Sequence, residues 1–306
     1  MCYDLKLDSA NFVWSHARAI SMHPAFELLG AVDPSATQRS LFQRHYMKSA
    51  YADVESALEA GAPSVVVIAS PTEKHCESLN AVLKSKPKAI LCEKPLSFDL
   101  HTARKIVDDC ESAGVKLFVN YMRLVDPGAL EVKRRIESES ISMPIKGTVW
   151  YSKGLIHNGS HFFNLLEFWL GAFVKAKVLN VGRLWDGKDP EPDVLVEFER
   201  GKVVFQSAWE EAYSHYTIEL LSPSGRLRYE QGGEYIAWHP AQADPNFPGY
   251  KILMATPEVI PNGMNRYQWR VFDQLADSLE GEFTSLCTGR QALTTLEAIN
   301  QIIKQD

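Results

Sequence analysis

A glutamate, a lysine and a proline stand in a row at Glu93-Lys94-Pro95, directly behind the apolar run Ala89-Ile90-Leu91-Cys92. A lysine at the rim of a sheet can hold a hydroxyl group and relay its proton, once a nearby cation and partial desolvation bring its pKa toward neutrality. A strand that stops in charge stops at a surface, and open α/β sheets bind ligands at the carboxyl ends of their strands. Pro95 cannot continue a central strand, so it ends the run, and it permits a cis peptide after Lys94. By itself the tetrapeptide reads equally well as a solvated strand end. Far along the chain stand two imidazoles, in His157-Asn158-Gly159-Ser160-His161. Asn158-Gly159 is a turn signal that breaks any helix between them, and no third ligand is evident, so no metal is expected.

The elements that must position these groups alternate. Ser15–Met22 reads as a helix stopped by Pro24. Phe26–Asp33 reads as a strand ending in an acid, followed by a helical stretch and another helix at Tyr51–Ala60. Ser64–Ser70 is a β-branched run without alternation, which suits a parallel strand covered on both faces. Helix Glu73–Leu83, strand Ala89–Cys92, helix Thr102–Ala113 and strand Val115–Asn120 follow, a pattern that predicts a doubly wound sheet. A long helix opens at Pro127, and Gly147–Ser152 leads as a strand to the histidine segment and to an amphipathic helix, Phe162–Leu170. Consecutive strands from Lys177 to Glu230 then predict a mostly antiparallel sheet. Its polar face carries Trp185, Trp209, Tyr213, Tyr229 and Trp238, and two helices, Asn265–Leu279 and Gly289–Lys304, close the chain.

Composition narrows the class. The chain has 306 residues, enough for two domains, and an apolar fraction of 45%. A net charge of −6 without a basic block argues against nucleic acid as a partner. The five cysteines are scattered and form no C-x-x-C pair, which points to reduced thiols. No long uncharged apolar run suggests a membrane span, and Met1-Cys2-Tyr3-Asp4 does not resemble a signal peptide, so a cytoplasmic location is expected.

A strand ending in E-K-P, followed by Leu96-Ser97 and a helix, resembles the glucose-fructose oxidoreductase / inositol dehydrogenase (Gfo/Idh/MocA) family. The resemblance covers nearly all of residues 15–304. It implies a Rossmann-like doubly wound parallel sheet over residues 1–123 and an α+β domain with a large, mostly antiparallel open sheet over 124–290. It also implies a terminal helix, 291–306, returning to the body. Such enzymes use NAD(P) and act mostly on sugars, cyclitols and their nucleotide conjugates, so hydride transfer at a carbinol carbon of such a substrate is implied here. Ala31-Val32-Asp33-Pro34-Ser35 matches a common family phrase, which places Asp33 on the adenosine ribose. Its charge would repel a 2′-phosphate, favouring NAD over NADP. Ser70, Pro71 and His75 match the family turn against the cofactor, and Glu93 and Lys94 complete the implied cofactor set. Tyr121 and Arg123, in a segment resembling N-Y-x-R, are implied substrate contacts together with Asn158. Lys94 and His161 are the implied catalytic pair. His157 stands where the family often has an aspartate, and Asn164 where it has a later one. Family sheets often pack face to face, which implies a homodimer or homotetramer.

One stretch departs from the pattern. Counted back from His16, the glycines of G-x-G-x-x-G fall on Asp8, Ala10 and Val13. A carboxylate at 8 would repel a pyrophosphate, and side chains at 10 and 13 would crowd the backbone approach. The strand before it, Tyr3–Leu7, would bury Asp4 or Lys6 at a cost of several kcal/mol, so residues 1–12 are expected to be displaced or disordered. Two rival functions therefore stand beside the dehydrogenase. One is a non-catalytic or regulatory homologue that has lost the dinucleotide; the other is a lyase or glycosidase that retains NAD for transient oxidation.

Overall fold

A computed structural model describes residues 4–8, 11–213 and 215–305. The chain divides into two compact units, one holding residues up to Val125 with Asn265–Leu293, the other Asp126–Met264 with the residues from Thr294 on. The sequence groups 265–290 with the second domain. In the structure, Asn265 and Gln268 exchange backbone hydrogen bonds with Val13, and this ties the segment to the first unit.

In the first unit α1 (His16–Met22) precedes β1 (Gly30–Val32), α2 (Ala36–Tyr46), β2 (Ser49–Tyr51) and α3 (Val54–Ala60). Then come β3 (Val65–Ile68), α4 (His75–Leu83), β4 (Ala89–Cys92), α5 (Leu100–Ser112) and β5 (Lys116–Val119). All of these strands pair in parallel, as the alternation of strand and helix predicts. The sheet lies in two pieces, β1–β2 and β3–β4–β5. In a doubly wound order the first strand would run between β1 and β3. Residues 4–7 instead form turns, with the Leu7 amide on the Asp4 carbonyl; Tyr3 and Ala10 lie outside the described residues. Displacement is thus the outcome for residues 4–8. β1 is shorter than Phe26–Asp33 because only its last residues find a partner strand. Tyr51 belongs to β2 rather than to a helix: Asp53 caps α3, accepting the Ser56 amide at 2.8 Å, and sets its start three residues later, at Val54. β4 is buried at every position, as an uninterrupted apolar run demands. Val13, Leu91, Phe118, Val271, Phe272 and Leu275 share the core beside it.

The second unit contains α6 (Pro127–Glu137), β6 (Ile145–Tyr151), a π-helical turn over Gly154–Gly159, α7 (Ser160–Leu170), β7 (Phe173–Asn180), β8 (Leu184–Trp185) and β9 (Asp189–Pro190). It continues with β10 (Asp193–Phe198), β11 (Gly201–Ser207), β12 (Thr217–Ser222), β13 (Gly225–Glu230), β14 (Tyr235–Ala243), β15 (Lys251–Leu253) and β16 (Glu258–Ile260). The last helices of the chain are α8 (Tyr267–Glu280) and α9 (Gly289–Ile303). The large sheet runs β15-β14-β13-β12-β6-β11-β10-β7, with β16 also on β14. Every pair is antiparallel except β6 with β11. Phe163 of α7 packs on Phe198 and Phe205 of the sheet at 5.4 and 5.7 Å between ring centres. Trp169 donates its indole N–H to the Ala129 carbonyl at 2.9 Å, which ties α7 to α6. The sequence places Tyr229 and Trp238 on the polar face; both are buried, Tyr229 against Trp169, because the period-two alternation of β13 and β14 turns them inward. Trp209 and Tyr213 remain exposed, at 62% and 58%.

Candidate functional site

β3, β4 and β5 are neighbours in one parallel sheet, so their carboxyl ends bring Ser70, Glu93-Lys94 and Asn120-Tyr121 to one edge. Lys94 is half-buried just past β4, and the Lys94–Pro95 peptide is cis. Glu93 is fixed by its surroundings: Oε1 accepts from His16 Nε2 and from Asn120 Nδ2, each at 2.7 Å. Gln268 closes the ring. Its Nε2 lies 2.9 Å from His16 Nδ1, and its Oε1 accepts from Asn120 Nδ2 at 3.1 Å. An amide nitrogen can only donate, so His16 Nδ1 accepts and Nε2 carries the proton given to Glu93. Burial pushes the Glu93 carboxyl up, but the His16 and Asn120 hydrogen bonds and the Lys94 charge outweigh it and hold the group below its usual range. The result is a rigid carboxylate beside Lys94.

His75 is buried, and its ring joins two turns. Nδ1 lies 3.1 Å from the Pro95 carbonyl oxygen and 3.3 Å from that of Leu96, while Nε2 lies 3.0 Å from that of Ser70. The ring therefore holds the Ser70-Pro71 turn against the Lys94-Pro95 turn. Ser70 Oγ lies 3.4 Å from Ser78 Oγ, and Pro71 is exposed. Tyr121 and Arg123 are buried in the turn that follows β5. Asp33 follows β1. Its Oδ1 accepts the Ser35 amide at 2.8 Å, and no donor reaches Oδ2 among the described residues.

In the second unit the histidine segment is held by acids in and just after β9. Lys153 and Gly154 take left-handed conformations, with φ of 65° and 78°, and open the π-helical turn. Asp189 of β9 accepts the Ile156 and His157 amides at 3.0 and 2.7 Å. Glu191 accepts the Gly154 amide at 3.1 Å and pairs with Arg183 at 2.7 Å. Burial pushes the Asp189 carboxyl up to about 6 against the pull of those amides. The His157 ring stacks on Trp185, 4.8 Å between centres. Asn158 Nδ2 donates to the Ser152 carbonyl at 3.0 Å. His161 is buried in the first turn of α7. Asn158-Gly159, expected as a break, continues as helix into α7, because Asp189 supplies acceptors for the wide turn. Asn164 points inward, to Thr295 Oγ1 at 3.1 Å.

Sequence reasoning misses Gln268, Asp189 and Glu191. Gln268 carries no local signal, whereas Asp189-Pro190-Glu191-Pro192, acids alternating with prolines, marks a rigid edge that could have been flagged. Among the described residues no group of three or more His, Cys, Asp or Glu could hold a metal ion, and no helix is long and apolar enough to cross a membrane. The four described cysteines are free thiols.

A dinucleotide fits part of this donor set. The open Asp33 oxygen suits a ribose hydroxyl, and Asn120 Oδ1, buried without a partner, is an unfilled acceptor on the side chain that holds Glu93. The stretch at 8–13 is held differently: Val13 is fully buried, and its amide is given to the Asn265 carbonyl.

Residues 10–121 match the Gfo/Idh/MocA oxidoreductase family, described by its NAD-binding Rossmann fold. An inositol 2-dehydrogenase of Rubrobacter xylanophilus is 37% identical over 95 residues, 31% of this chain and 27% of that protein. A myo-inositol 2-dehydrogenase of Thermotoga maritima is 29% identical over 106 residues, 35% of this chain and 31% of that protein. The matched stretch thus spans less than a third of each of these relatives. Among solved structures, the WlbA dehydrogenase of Bordetella pertussis in complex with NADH and UDP-GlcNAcA superposes with a TM-score of 0.74 at 17% identity, covering 95% of this chain and 92% of that one. An oxidoreductase of Agrobacterium radiobacter in complex with NAD+, L-tartaric acid and magnesium gives a TM-score of 0.72 at 17% identity, over 93% and 90%. At that identity the likeness establishes the fold: a Rossmann domain joined to a large, mostly antiparallel sheet.

Proposed function

We propose, from the premise that residues 10–121 belong to the Gfo/Idh/MocA family of NAD-binding oxidoreductases, that this chain moves hydride to or from a carbinol carbon of a sugar, cyclitol or nucleotide-sugar. The observation that carries the reading is the fixed Glu93 beside Lys94, held by His16, Asn120 and Gln268 at the carboxyl edge of three parallel strands. NAD, when bound, supplies the hydride acceptor or donor. Lys94 holds the reacting hydroxyl and carries its proton. His161 acts as partner base, with His157, four residues before it, standing in for the family aspartate, and Tyr121, Arg123 and Asn158 offer polar contacts to substrate hydroxyls. Asp33 takes the ribose hydroxyls and disfavours a 2′-phosphate. His75 acts through the two turns it joins.

The dehydrogenases named for inositol and the dehydrogenase bound to UDP-GlcNAcA support a substrate panel of cyclitols and nucleotide-sugars. Lys94→Ala tests the assignment: turnover falls by about 10²–10⁴-fold, far more than NADH affinity does. Unchanged turnover removes Lys94 from the chemistry. A second reading, a homologue without dinucleotide, is favoured by the loop at 8–13, where no glycine stands; absence of NADH binding would select it. We place the protein in the cytoplasm, as a homodimer or homotetramer formed through the open sheet. Exposed Val174, Leu179 and Leu221 on its strands support that face, and sedimentation would test it.

A further inference from the structure

We propose that Asp4 is a latch: its carboxylate anchors residues 4–8 on the Trp14 and Ser15 amides, and the Asp8 carbonyl of the same segment takes the Asn11 and Phe12 amides of the loop that would meet a dinucleotide pyrophosphate, so the nucleotide enters only by displacing residues 4–8. The inference rests on the dinucleotide reading above and specifies how that site is regulated. A pyrophosphate brings negative charge and acceptors only, so it needs N–H donors from the loop ahead of the first helix. Here every amide from residue 11 to 15 is already committed. Asn11 and Phe12 donate to the Asp8 carbonyl at 3.2 and 2.8 Å, and Val13 to the Asn265 carbonyl at 3.0 Å. Trp14 and Ser15 donate to Asp4 Oδ2 at 3.0 and 2.8 Å, and the Ser15 hydroxyl to Asp4 Oδ1 at 2.7 Å. The Arg18 guanidinium sits 3.7 Å from the same carboxylate and also donates to the Leu7 and Phe12 carbonyls. Asp4 has no exposed surface. The protein's own anion thus fills a cage of two amides, a hydroxyl and a guanidinium.

The two halves of the cage are anchored unequally. Trp14 and Ser15 lead into α1, and their loop is pinned by Asn265, Tyr267 and Gln268. Residues 4–8 instead form turns that pair with no strand. The Asp4 side can therefore leave while the donors stay in place. An intramolecular carboxylate competes at high effective concentration, so the free protein stays closed and dinucleotide affinity is set by the difference between the two anions.

NADH binding, read as energy transfer from tryptophan to the nicotinamide, is compared in the wild type, Asp4→Asn and Asp4→Ala, with hydrogen exchange at the Trp14 and Ser15 amides in the nucleotide-free proteins. Asp4→Asn keeps one amide oxygen in the cage and preserves the fold should the alanine variant lose it. The latch predicts slow exchange at both amides in the wild type, faster exchange in the variants, and NADH binding about tenfold tighter once the charge is gone, equivalent to about 1.4 kcal/mol. Equal or weaker affinity in the folded variants overturns the latch and leaves the dinucleotide reading standing. No binding in any of the three overturns both. Fast exchange at Trp14 and Ser15 in the wild type overturns the latch as well.

Discussion

Glu167 offers the sharpest test of the energetics in the second unit. Burial pushes its carboxyl up from 4.5 to about 7, against a single helping hydrogen bond from the Thr295 hydroxyl at 2.5 Å. Thr295 in turn accepts from Asn164, so the three side chains form one chain that runs from a buried amide to a half-buried carboxyl. In the unfolded protein the group ionises near its ordinary value. Between pH 4.5 and 7 the native state therefore holds a proton that the unfolded state has released, and stability falls as pH rises through that window. The gap is worth about 3 kcal/mol. Glu167→Gln cannot ionise, yet its amide oxygen can still accept the Thr295 hydroxyl. The variant should match the wild type below about pH 4.5 and exceed it by up to about 3 kcal/mol above about pH 7, measured by urea unfolding at several pH values. Parallel stability profiles, or a variant weaker at pH 8, would refute the reasoning.

Two further substitutions probe the held loops. Gly154→Ala puts a Cβ 2.0 Å from Asp189 Oδ2 at a residue with φ of 78°; a loss of about 2–4 kcal/mol in urea unfolding is expected, and a loss below about 1 kcal/mol would show that the π-helical turn yields easily. Val13→Gly puts a glycine at the third position of a G-x-G-x-x-G spacing but deletes a fully buried side chain packed with Leu91, Phe118 and Val271. It should cost about 2 kcal/mol or more, and a stabilised variant would overturn the account of this loop as core.

What the sequence shows and hides follows from the range of the forces involved. The buried strand Ala89–Cys92 and the charged residues behind it are legible because four apolar residues in a row admit few other placements. The bodies of α1, α5 and α7 are legible for the same local reason, but their starts are less so: α5 begins at Leu100 behind its Asp99 cap, and α7 continues from the π-helical turn. Gln268, by contrast, reaches His16 and Asn120 across the chain, and Asp189 shapes the histidine segment from a strand more than thirty residues later. No local pattern encodes such a partner. Tyr229 and Trp238 are misplaced in the sequence reading because aromatic type says nothing about which face of a strand is inward; register decides that. The break at residues 4–8 is readable in outline, since charged Asp4 and Lys6 do not suit a central strand. That Asp4 would find a cage of its own is not.

The two pieces of the first unit's sheet set an order of local stability. Among the described residues β4 has ladder partners on both sides, whereas β1 and β3 each have one. Ala69 just past β3, with Leu29 and Val32 around β1, is correspondingly exposed, while β4 is sealed. Strands tied on one side open at lower free energy than strands tied on both. Deuterium should therefore enter β1 and β3 well before β4. Fluctuation in this unit begins in the middle of what would otherwise be a continuous sheet, and the lysine-bearing strand stays anchored while its neighbours breathe.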